Sequence, residues 1–210
     1  MNKYLLLTAA CGLAFTALYA ASPTFKSTSA NGNAASPAAV ILPADPYSQV
    51  RVLSVVYSTD TNNSSLSCTY GTTAFSITAT NATTTAITNR ISGTNGLTPS
   101  CVLVLQHAGV GYAATVASWN QDTNTASGSG TNIVLASGAW GVATTVGDSV
   151  YLMSSATLLP AAAAASGSTT TASKDGEAIY VAGLSGRPVR IVLTPALGTN
   201  QLNNVVYHYD

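Results

Sequence analysis

Cys101 to Met153 reads CVLVLQHAGVGYAATVASWNQDTNTASGSGTNIVLASGAWGVATTVGDSVYLM, a series of short apolar runs separated by polar, Gly-rich turns. CVLVLQ, YAATVAS, NIVLAS and SVYLM each have the length of one strand, and VGD makes a tight turn before the last. Val, Ile, Leu, Thr and Tyr suit a pleated surface, whereas Gly, Asn, Asp and Ser suit the corners. Apolar runs this short, each ended by a turn, predict an all-β chain: an antiparallel β-sandwich or small barrel.

The flanking sequence extends the pattern. VRVLSVVYS, from Val50, predicts a strand whose mixed apolar faces imply burial on both sides. SLSCTYG and TAFSITATN predict two more, separated near Gly71. In the second, Phe75, Ile77 and Ala79 alternate with Ser76, Thr78 and Thr80, the period of a strand with one wet face. TTTAITNRI, EAIYVAG, RPVRIVLTP and NNVVYHYD continue the series. Val189, Ile191 and Leu193 share one face. Val205, Tyr207 and Tyr209 share another, opposite Asn204, Val206, His208 and Asp210. The expectation is about nine or ten strands in one domain over residues 49–210. A low-complexity excursion at about 154–176 interrupts it, with an Ala run at 161–165 too short to stand as a helix.

Two segments precede that domain. Residues 1–22 hold Lys3 and then an apolar run from Tyr4 to Ala21, with small residues before Ser22 and Pro23. This is the layout of a signal peptide cleaved near Ala20 or Ala21. It equally fits a retained anchor or arm, because roughly 18 apolar residues are just enough to span a bilayer. Residues 23–48 are rich in Ser, Ala, Asn and Pro, with Pro37, Pro43 and Pro46 as breakers, and predict an extended arm. Its VILP stretch is expected to lie along a neighbouring surface as an edge segment.

Charge narrows the function classes. Seven Lys and Arg balance seven Asp and Glu, so 7% of the chain is charged, against roughly 25% in an ordinary globular protein. Little repulsion keeps copies of such a chain apart. Either Ser, Thr and Asn solvate the surface, or subunits bury it. With no basic patch there is no footprint for nucleic acid.

No reaction is written in the residues. Asp45, Asp60, Asp122, Asp148, Asp175, Glu177 and Asp210 fall mostly in predicted turns, where Asp bonds the local backbone. Asp148 in TVGDSV is the most specific of them, and its simplest role is to fix a hairpin turn. His107 and His208 are far apart and match no metal spacing. GVGYAA opens no helix, and no GxSxG elbow is present. Asp60 with Asn62 and Asn63 offers calcium ligands without the full acidic loop, so no catalytic residue, metal or cofactor is assigned. Asn62, Asn63 and Asn81 begin N-x-S/T triplets, which matter only in a glycosylating pathway. Cys11 lies in the apolar start. Cys68 and Cys101 flank predicted strands, where they form either a disulfide or two buried thiols. Trp119 and Trp140 each end a strand-like run beside a polar loop, and serve either as interface aromatics or as caps on the core.

GLTPSCVLVLQHAGVGYAATVASW, TNIVLAS and VGDSVYLM, with the ending RPVRIVLTPALGTNQLNNVVYHYD, resemble the small β-barrel modules of tailed-phage and related virion proteins, of capsid decoration or minor capsid type. The resemblance spans roughly Val50 to Asp210 and is carried by strand spacing and a Thr, Ala and Gly-rich composition. It implies a non-enzymatic, multimeric virion subunit whose partners are copies of itself and other assembly subunits. The signal-like start departs from that pattern. It supports the alternative of a secreted bacterial surface adhesin or filament subunit, with membrane contact through residues 4–21. The expected location is accordingly a virion or the cell exterior.

Overall fold

A computed structural model describes residues 25–33, 37–45, 47–60, 64–79, 89–122, 130–136, 140–159, 167–175, 177–182, 185–194 and 199–210. Among them every regular element is a strand, and every pairing between strands is antiparallel. The first sheet runs β1 (Lys26–Gly32), β14 (Asn200–Tyr209), β3 (Val50–Thr59). The far side of β3 is shared by β11 (Ser168–Ser173) and β12 (Tyr180–Val181). The second sheet starts β2 (Ala39–Leu42), β13 (Val189–Thr194), β4 (Ser65–Ala79), with β10 (Thr157–Leu158) on the other side of β4. It continues through β5 (Asn89–Ile91), β8 (Gly130–Leu135), β7 (Val110–Asp122), β6 (Val102–His107) and β9 (Ser149–Met153), and β9 pairs back onto β4.

The long strand β4 connects two hydrophobic cores. Its first half pairs with β13 and its second half with β9. SLSCTYG and TAFSITATN, expected as two strands, are therefore one. At the crossing, a Cβ on Gly71 would lie 3.0 Å from both Pro188 Cδ and Tyr151 Cβ. Glycine is needed there for close packing, and it does not break the strand. β7 is the other shared strand. Its first half pairs with β6, its second half with β8, and its register shifts between Val116 and Ser118. Such a bulge bends a strand and raises its twist, which lets one strand serve two layers.

The first core lies between the first sheet and the β2-β13-β4 layer, and includes Val52, Tyr57, Leu66, Ile191, Leu202 and Val205. The alternation read from sequence explains it: Val189, Ile191 and Leu193 are all fully buried here. The second core lies inside the layers formed by β4 to β9, with Phe75, Ile77, Ile91, Leu103, Ile133 and Trp140. Each fully buried Leu or Ile in these cores contributes roughly 1.5–3 kcal/mol.

Two expectations change in detail. β3 was expected to be buried on both faces, but its outward residues are only half-buried, because nothing among the described residues covers that side. The 154–176 stretch was expected to wander over the surface. Its Thr157–Leu158 and Ser168–Ser173 segments instead pair in register with β4 and β3. Thr-rich sequence has good β-propensity once a neighbouring strand supplies the ladder. The Ala run at 161–165, the apolar residues 4–21, and Asn62, Asn63 and Asn81 lie outside the described residues.

The described residues of the 23–48 segment hold two strands, and both pair within their own chain. β1 adds to β14 in one sheet, and β2, which contains the VIL of VILP, adds to β13 in the other. Gly32 and Ala38 approach closely: a Cβ on Gly32 would sit 2.2 Å from the Ala38 backbone nitrogen, so only glycine fits.

Candidate functional site

The surface with the most distinctive chemistry is the outer face of the first sheet. β3 and β14 lie side by side there, so alternate residues of each point to solvent. Ser54, Val56 and Ser58 of β3 adjoin Val206, Asn204 and Gln201 of β14, and Ser173, Thr171 and Thr169 of β11. All of these side chains are uncharged. Asn203, in a β-bulge of β14, donates from Nδ2 to Ser58 Oγ at 3.2 Å and ties the two strands together.

At one end of this face the charges gather. An open depression of about 620 Å³ is lined by Arg51, Leu53, Glu177, Ala178, Val181, His208 and Asp210. Arg51 Nε donates to Asp210 Oδ2, pairing β3 with the residue that follows β14. Lys174 and Glu177 form a second ion pair in the turn between β11 and β12. Lys174 hydrogen-bonds the Glu177 carboxyl and holds it below the usual carboxylate range. General acid catalysis needs the opposite shift, a carboxyl raised toward neutrality. Phe25, which is 61% exposed, meets the His208 ring edge-on with centroids 5.7 Å apart. The depression therefore offers donors, acceptors and an aromatic edge for contact.

A second cluster joins His107 to Asp148. His107 ends β6, and the two-residue turn after it, Ala108–Gly109, has positive φ at both positions. That turn matches the twist of the flanking strands. Asp148 Oδ2 lies 2.9 Å from His107 Nδ1 and accepts from the Thr145 backbone N–H at 2.7 Å. The Asp148 N–H in turn donates to Thr145 O at 3.0 Å. Asp148 is thus the turn-fixing residue its sequence suggests, with an added contact to a histidine 41 positions away.

The remaining sequence-singled residues are dispersed. Asp45 accepts from the Tyr47 N–H, and Asp60 accepts from the Thr199 N–H. Among the described residues no group of three His, Cys, Asp or Glu is placed to hold a metal. Cys68 and Cys101 are both free thiols and make no bridge: Cys68 is in the first core, and Cys101 packs against the second. Burial pushes the Cys68 thiol up to about 12, so it stays protonated and inert. Trp140 is 4% exposed inside the second core, which takes its ring out of reach of a partner. Trp119 is 37% exposed and keeps a ring edge at the surface.

Sequence reasoning missed the Arg51–Asp210 pair, because its members are 159 positions apart. It also missed the junction between the two cores. There Thr69 Oγ1, Gln106 Nε2, Arg187 Nη1 and Arg190 Nε are buried without a hydrogen-bond partner among the described residues. Burial lowers the Arg190 pKa. The only local hint was the arginine pair in RPVRIV, a charged interruption of an apolar run.

No family model matches this chain, and neither the curated proteins nor the solved structures contain a match to it.

Proposed function

We propose that this chain is a non-enzymatic structural subunit of a multimeric assembly, of the capsid decoration or minor capsid type, whose partners are copies of itself and other assembly subunits. The observation that carries the reading is the uncharged outer face of the first sheet. Ser54, Val56, Ser58, Gln201 and Asn204 form a pleated surface of short, neutral side chains. Surfaces of this kind meet without the desolvation cost of unpaired charge. At one end of this face Arg51 with Asp210 and Lys174 with Glu177 are already paired with one another, and at the other end Asp60, beside Ser58 and Gln201, accepts from the Thr199 N–H. The sequence resemblance to virion modules supports the same conclusion.

Light scattering coupled to size exclusion tests it. The expected result is a species of several chains at micromolar concentration. A monomer at every concentration would overturn the reading.

A second reading, a secreted surface adhesin or filament subunit, is favoured by the signal-like residues 1–22. N-terminal sequencing of the mature protein separates the two. A start near Ala21 or Ser22 favours export, and an intact Met1 favours the virion subunit.

A further inference from the structure

We propose that the outer edge of β11 over Thr169 to Ser173 is a contact between two copies of this chain, which join antiparallel about a two-fold axis through Thr171. The inference rests on the assembly reading above and names the surface that assembly uses.

A strand at a sheet edge carries unpaired N–H and C=O groups along its outer side, and monomeric proteins protect that side with charge, proline, a bulge or a cover. The edges of this fold differ in that respect. β1 carries Lys26 at its head, and its register breaks between Thr28 and Ala30. β2 faces the β6–β7 hairpin, with Ile41 against Gly111. β10 is only two residues long. Among the described residues β11 has none of these protections. It pairs with β3 on one side only, in unbroken register, and its sequence, STTTAS, has no charge, proline or glycine.

The end of the edge is also defined. Immediately after Ser173 the chain enters the Lys174–Glu177 ion pair, so a partner strand can pair no further than that charged turn. Of the six residues of β11, Ser168 has a contact of its own, and the other five, Thr169 to Ser173, are centred on Thr171.

Symmetry fixes the register. A two-fold axis perpendicular to the sheet keeps the outer faces of both copies on one side, which requires paired residues to have the same parity. Thr171 then faces Thr171 of the second copy, Thr169 faces Ser173, and Thr170 faces Ala172. Each pair is small and uncharged, and each strand supplies the backbone partners the other lacks. The order β1-β14-β3-β11 continues into β11-β3-β14-β1 of the second copy. The uncharged outer faces thereby merge into one surface.

Charge exchange at Thr171 tests this in the full chain. Thr171 is exposed on the outer face, so lysine or glutamate there leaves both cores untouched. Thr171→Lys sets two cations opposite each other across the axis, and Thr171→Glu sets two anions. Each variant alone is expected to self-associate roughly tenfold more weakly than wild type. An equimolar mixture of the two is expected to recover association, as a heterodimer detected by native mass spectrometry. If both variants associate as wild type does, the edge assignment is overturned while the assembly reading stands. The same holds if both weaken and the mixture gives no recovery. If wild type itself is monomeric throughout, both fall.

Discussion

Gly111 carries the contact between the arm and the second core, and replacing it by alanine tests that contact directly. Gly111 lies in β7, with φ outside the left-handed region, so alanine meets no backbone strain there. Its Cβ would instead lie 2.3 Å from Ile41 Cγ2 and 2.9 Å from Gln106 Nε2. Carbon atoms pack at about 3.5–4.0 Å, so β2 and the hairpin must separate by more than about 1 Å. Overpacking of this kind costs about 1–3 kcal/mol, offset by a few tenths for the reduced freedom of the unfolded chain. For a chain of this size the cost corresponds to a Tm lower by roughly 3–10 °C. Ile41→Ala removes the nearest atom but leaves its own Cβ 3.1 Å away. The double variant should therefore be more stable than the sum of the singles by about 1 kcal/mol. Thermal unfolding followed by circular dichroism, in a double-mutant cycle, reads both numbers. A Gly111→Ala protein that melts with wild type, or a cycle that closes additively, would refute the packing of β2 on this hairpin.

Three further outcomes are expected. Arg190→Met should raise Tm by roughly 2–6 °C, since it replaces a largely buried guanidinium, whose Nε has no hydrogen-bond partner among the described residues, by an apolar chain of similar length; thermal unfolding checks it, and a lower Tm would show that the charge is compensated. Asp148→Ala should cost about 1–2 kcal/mol in urea unfolding, because the Thr145 N–H and the His107 ring both lose their acceptor. Cys68 has a folded pKa of about 12, raised by burial from an ordinary 9.0, so its contribution to stability is complete below pH 9.0 and is lost as pH rises toward 12. Tyr180 and Tyr209, also raised by burial, act in the same direction above their ordinary 10.0. Alkaline melting curves should therefore fall steeply from pH 9.0, and less steeply in Cys68→Val.

The strands were legible wherever side chains alternate strictly. Phe75 and Ile77 against Thr78, or Val189, Ile191 and Leu193 in one row, state both the strand and its buried face. The turn at Asp148 was legible for a similar reason, since a Gly-Asp corner is closed by the Asp side chain itself. What was hidden depends on distant partners. STTTAS looks like a linker until β3 supplies its ladder, and Gly71 looks like a break until Pro188 and Tyr151 close upon it. The ion pair of Arg51 with Asp210 joins positions that no local pattern connects. Cys68 and Cys101 looked pairable because each borders a strand, but membership of a strand does not determine which of two cores a residue faces.

Sedimentation velocity of the wild-type chain, over a range of protein and salt concentrations, tests the central claim most directly: copies of this protein meet on neutral strand surfaces. The expected sedimentation coefficient rises with protein concentration and is unchanged by added salt, because few charges lie at the contact to be screened. A single monomeric boundary under all conditions, or an assembly that dissolves as salt is added, would contradict it.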